Sequence, residues 1–148
     1  MDEIKKFQLQ PLPVKGDEWE KSKLLYEGNQ TDTVLSGIRL EAQFQHIEKF
    51  ILFITYDSIF AETLHIYLLN KNFTTIDEWQ ISQNEGAVHK LQIIGDNQLQ
   101  FSFFGDDSWV LTVLEKPQMT LPRLPLFSSY WKPLPFALTP GHLQIQKK

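Results

Sequence analysis

The sequence predicts an all-β, antiparallel domain, a sandwich or barrel of seven to eight strands, and three observations predict it. Apolar residues recur with a period of two from about Lys23 to Leu114; the periodic stretches are separated by Gly, Asn, Asp and Ser turns; and no stretch between them has a useful length of helical periodicity. Propeller blades take about 40 residues each in four strands, so this chain holds too few to close a ring.

The elements follow in chain order. Residues 1–22 read as an arm, in which Asp17 is placed to cap a short helix over Glu18–Lys21. Leu24 and Tyr26 lead into a turn at Gly28-Asn29. Val34, Ile38, Leu40, Ala42 and Phe44 then predict one long strand with a wet face, bulged near Gly37. Lys49 to Tyr56 is apolar at both parities, as a central strand covered on both sides must be. A turn at Asp57-Ser58 precedes Glu62 to Leu69, and Asn70-Lys71-Asn72 connects that strand to Phe73–Ile81 as a hairpin. A loop over Ser82–Gly86 leads to a strand from Val88 to Ile94, stopped by Gly95-Asp96-Asn97. The last hairpin pairs Gln98–Phe103 with Trp109–Leu114 around Gly105-Asp106-Asp107-Ser108.

After Leu114 the texture changes. Six of the eight prolines lie at 117, 122, 125, 133, 135 and 140, which exclude long helices and central strands. Phe127, Tyr130, Trp131, Phe136 and Leu138 nevertheless make this segment too apolar for a free linker. The reading is a single domain over 1–148, with the arm at 1–22, a β body at 23–115 and a proline-rich, basic strap at 116–148 packed on the body, covering a sheet edge or an open barrel end.

Charge follows the same division. Between Leu24 and Glu115 stand 13 acids against four Lys and Arg, whereas residues 116–148 carry five bases and no acid. An acidic body disfavours nucleic acid and anionic membranes, which need clustered Lys and Arg. Cysteine is absent, removing disulfides, thiolate metal sites and cysteine nucleophiles together. The acidic N-terminus shows no signal-peptide pattern, so the expected compartment is the cytoplasm.

No motif specifies a chemistry: there is no nucleophile elbow, phosphate-binding glycine loop or metalloprotease spacing, and neither a cofactor nor a metal is expected. His46, His65, His89 and His142 lie far apart. Only His65 and His89, with Glu62 or Glu85, are placed to meet across neighbouring strands. Aspartates at a hairpin tip suit turn hydrogen bonding before calcium or acid–base work. The stretch Pro122-Arg123-Leu124-Pro125 has the spacing of a polyproline ligand, a pattern short enough to arise by chance.

These exclusions favour a non-catalytic protein-binding domain, of the acidic inhibitor or immunity type, that docks a basic protein. Its expected contact residues are the aromatics and acids at Tyr67, Asp77, Glu78, Trp79, Asp106, Asp107 and Trp109. Self-association through exposed sheet edges competes with that reading. The alternatives are a barrel enclosing a small apolar ligand among Phe44, Phe50, Phe101 and Phe103, and a small hydrolase or isomerase with a dispersed site.

Overall fold

A computed structural model describes residues 1–56, 62–83, 86–120, 122 and 129–148. The arm contributes β1 (Asp2–Glu3) and β2 (Phe7–Pro11), followed by a hairpin of β3 (Lys21–Tyr26) and β4 (Asn29–Ser36). A meander of β5 (Arg39–His46), β6 (Lys49–Thr55), β7 (Glu62–Leu69) and β8 (Thr75–Gln83) comes next. A second meander holds β9 (His89–Gly95), β10 (Gln98–Ser102) and β11 (Trp109–Gln118). The chain ends with β12 (Tyr130–Trp131), a 3-10 turn at Phe136–Leu138, and β13 (Gly141–Lys147).

These strands form three antiparallel sheets. The six-stranded sheet runs β1-β5-β6-β7-β8-β12, the four-stranded sheet β13-β11-β10-β9, and the three-stranded sheet β2-β3-β4. Strand alternation makes the large sheet the middle layer. Ile51 and Phe53 of β6 and Leu64, Ile66 and Leu68 of β7 pack with Leu99, Phe101, Trp109, Leu111, Leu143 and Ile145. Phe50, Leu52 and Ile54, with Tyr67 and Leu69, pack on the other face with Phe7, Leu24 and Leu35. The two-sided apolar run in β6 therefore has the cause read from the sequence: both faces are covered.

The expected barrel is not formed, because the sheets stay open. Phe44, Phe101 and Phe103 fill one core and Phe50 the other, so the four rings line no common lumen. The strand count among the described residues exceeds seven or eight because arm and strap are themselves strands and one expected long strand is two. No helix forms over Glu18–Lys21; Lys21 already opens β3, and the carbonyl of Glu20 accepts the amide of Gly37 at 2.9 Å.

The long strand expected from Val34 to Gln45 is two strands in two sheets. Gly37 turns the chain between them with φ of 103°, and a β-carbon there would overlap the Ile54 side chain. The proline-rich strap supplies edge strands, as its prolines require: β12 pairs with β8, and β13 pairs with β11. Arg123 to Pro125 of the Pro122–Pro125 motif, the Asp57-Ser58 turn, Glu85 and Phe127 lie outside the described residues.

Candidate functional site

Of the residues expected to make contacts, the structure buries five. Tyr67, Asp77, Glu78, Trp79 and Trp109 are each at most 8% exposed, so they present no docking patch. The reason lies in the layering: the four-stranded sheet, with the strap's β13 as its edge, covers one face of the six-stranded sheet and encloses Trp109 between them, and the three-stranded sheet covers the other face.

On β8, Asp77 and Trp79 point toward the four-stranded sheet and Glu78 points the other way. The Oδ2 atom of Asp77 accepts from the Lys132 ammonium at 2.8 Å and from the amides of His142 at 2.7 Å and Leu143 at 2.8 Å. Its Oδ1 accepts from the Glu78 amide at 2.9 Å. Trp79 donates its indole N–H to the Leu143 carbonyl at 3.0 Å and lies 5.2 Å beneath the Lys132 ammonium. This acid–aromatic pair is thus the anchor that holds β13 and the strap.

Glu78 faces the three-stranded sheet, where its Oε2 accepts from His65 Nδ1 at 3.0 Å and Gln80 Nε2 at 2.8 Å. The His65 ring stacks 5.8 Å from Tyr67 and meets Tyr56 edge-on at 5.1 Å. Its Nε2 is buried without a partner among the described residues. His65 and His89 do not meet: they sit in different sheets, and Glu78 takes the place expected for the second histidine. Among the described residues no three metal-ligating side chains gather.

The Tyr67 hydroxyl joins two sheets. It accepts the Ser36 amide at 3.0 Å and donates to the Ser36 carbonyl at 3.2 Å, much as a neighbouring strand would. Burial pushes the Tyr67 phenol well above its usual pKa, the Glu78 carboxylate adds to this, and the Ser36 bonds work against it. Burial also raises Tyr56.

At the last hairpin, Asp107 does turn work. Its carboxylate accepts the amides of Phe103 at 2.8 Å and Phe104 at 3.1 Å, and the Trp109 indole N–H at 2.9 Å. Trp109 is enclosed, stacked on Phe101 and edge-on to Tyr130. Asp106 alone is fully exposed, 3.7 Å from the exposed Lys90 ammonium.

The site that sequence reading missed is a cleft of about 660 Å³ between β4 and the β7–β8 turn, lined by Asn29 to Val34 on one wall and Asn72 to Thr75 on the other, with Tyr26. Phe7, Tyr26, Phe50 and Phe73 pack as an aromatic group beside it, with centroids 4.8 to 5.9 Å apart. The turn is rigidly tied. Asn70 Oδ1 accepts the amides of Asn72 and Thr74, and Thr33 Oγ1 donates across to the Phe73 carbonyl at 2.6 Å. One signal did point here, the polar Asn70-Lys71-Asn72 connection, but the opposite wall needed the three-sheet topology to be known. Comparison with protein-family models, curated proteins and solved structures finds no match to this chain.

Proposed function

We propose that this chain is a non-catalytic protein-binding domain that receives an extended, basic segment of another protein along the outer edge of β4 beside Val34. The observation that carries the reading is the cleft: β4 is the last strand of its sheet and the cleft runs along its outer side. Because Ser36 turns its main-chain groups outward to Tyr67, strand alternation turns those of Val34 outward as well, toward the cleft. A segment laid there adds a strand, with the aromatic group beneath its side chains.

Charge supports a basic occupant. No Lys or Arg lines the cleft and Asp32 does; of the two adjoining turns one carries the exposed Glu27 and the other the exposed Lys71, so the acid within the cleft sets the sign. The same chemistry favours binding over catalysis. The groups suited to acid–base work, His65, Glu62 and Glu78, are enclosed, and the open cleft sets one carboxylate among hydroxyls and amides.

Affinity capture with the wild-type chain, read beside Asp32→Lys and Val34→Pro, tests this. The expected result is a basic protein retained by wild type and lost by both variants while their thermal unfolding stays near wild type. The same proteins retained by all three, or none retained by wild type, would overturn it.

A further inference from the structure

The two sides of β11 differ. Against β10 its pairing is in register, whereas against β13 it breaks between the pairs Val113–Leu143 and Gln118–Gly141. Leu114 to Pro117 of β11 there stand opposite His142 alone, and Pro117 has no N–H to give to a ladder. A cavity of about 190 Å³ opens at this split. Leu114 and Gln118 line it on one side, Gly141 and Leu143 on the other, with Trp79, Tyr130 and Lys132 between them.

Lys132 gives the cavity its chemistry, because its side chain is only 7% exposed and yet forms part of the wall. A β-carbon on Gly141, another wall residue, would come within 2.5 Å of the Lys132 Nζ, so the charged end of the lysine rather than its stem stands here. An ammonium carries three N–H donors. Among the described residues Lys132 makes one hydrogen bond, to Asp77 Oδ2 at 2.8 Å, and its Nζ lies 5.2 Å over the Trp79 ring. Asp77 is also held by the amides of Glu78, His142 and Leu143, and neither it nor any other acid lines the cavity. Among the described residues, then, the wall carries one charge: a buried ammonium with donors to spare.

We propose that this cavity binds a small carboxylate with a compact apolar body. The carboxylate accepts the N–H groups of Lys132 that Asp77 leaves, and the body lies against Trp79, Tyr130 and Leu143. The volume falls below the roughly 300–1,000 Å³ of a site for a drug-sized molecule, which limits the occupant to a single ring or a short chain. Gln118 and Thr120 are exposed, so the cavity meets solvent at their end. This site lies between β11 and β13 and stands apart from the β4 cleft and its occupant.

The test is a titration of the full chain with sodium benzoate and, separately, with benzyl alcohol, a similar ring without the charge, followed by two-dimensional amide NMR spectra. Benzoate should move the Trp79 indole N–H and the amides of Gly141 and Leu143 along saturable curves, with a Kd in the millimolar range or tighter. Benzyl alcohol should bind at least about tenfold more weakly, because it offers the ammonium only a neutral acceptor. Leu114→Trp, which fills the cavity, should abolish both responses, and Lys132→Met should abolish the response to benzoate. Circular dichroism shows whether each variant is folded, and the comparison of the two probes on wild type decides the matter if neither is. Equal affinity for the two probes, shifts confined to exposed lysines, no saturation, or a folded Leu114→Trp that responds like wild type would each overturn the proposal.

Discussion

Asp77→Ala is the perturbation that most directly tests how the strap is held. In the folded chain one carboxylate satisfies an ammonium and three amides, and Lys132 beside it is only 8% exposed. Removing one partner of a buried ion pair costs about 3–5 kcal/mol, and each orphaned amide adds about 1–3 kcal/mol. These contributions overlap, because an undocked β13 returns both its amides and Lys132 to water. A total of about 4 kcal/mol is expected, a large part of the roughly 5–15 kcal/mol that holds an ordinary domain together.

Urea unfolding measures that loss, and hydrogen exchange locates it. The amides of Leu143 and Ile145 should lose protection while those of β6 and β7 keep theirs. Adding Lys132→Met should recover about 2 kcal/mol relative to Asp77→Ala, because the stranded ammonium is gone although the amides remain unpaired. A loss below about 1 kcal/mol for Asp77→Ala, with β13 still protected, would refute the assignment of Asp77 as the anchor.

The remaining predictions concern three other joints. Tyr67→Phe removes the hydroxyl that serves both main-chain groups of Ser36, and should cost about 1–3 kcal/mol in urea unfolding, with faster exchange at the Ser36 amide. Gly37→Ala places a β-carbon against the Ile54 side chain and the Thr55 carbonyl at a φ of 103°; a loss of about 3 kcal/mol is expected, and a neutral result would contradict the crossover geometry. For pH, the Tyr67 phenol has its folded pKa raised well above 10.0. Its contribution to stability is therefore complete below the unfolded value and is lost as pH rises past about 10 toward the folded value. The melting temperature should fall in that window, and Tyr67→Phe should flatten the fall.

How much of this was legible in the sequence depends on whether local pattern or long-range pairing decided the outcome. Lys49 to Thr55 read correctly as a doubly covered strand because two-sided burial writes itself into both parities. The hairpins at Asn70–Asn72 and Gly105–Ser108 read correctly because turn chemistry is local: Asn70 and Asp107 bind amides two to four residues away. The crossover at Gly37 was misread as a bulge, since a glycine with left-handed φ looks the same whether the chain kinks within a sheet or leaves it. The burial of Tyr67, Asp77, Glu78, Trp79 and Trp109 went unread for a related reason. An acid beside a tryptophan reads as surface until its partner is known, and the partners of Asp77 lie 55 to 66 residues away in the strap.

That burial changes what charge can do in this molecule. Three of the acids that make the body negative, Glu62, Asp77 and Glu78, are enclosed, and Lys132 pairs with Asp77, so the surface field is weaker than composition suggests. Long-range attraction of a basic protein would then speed its arrival more than it would hold it, leaving retention to the β4 edge and the aromatic group beside the cleft. The two contributions separate by salt. Raising ionic strength to about 1 M shortens the screening length to roughly 3 Å and removes attraction between exposed charges, but leaves a main-chain ladder intact. Partner bound through the ladder should therefore associate more slowly at high salt while its dissociation rate stays nearly unchanged. If salt instead accelerates release and Val34→Pro has no effect on it, the complex is held by charge at the surface and the β4 edge is not its seat.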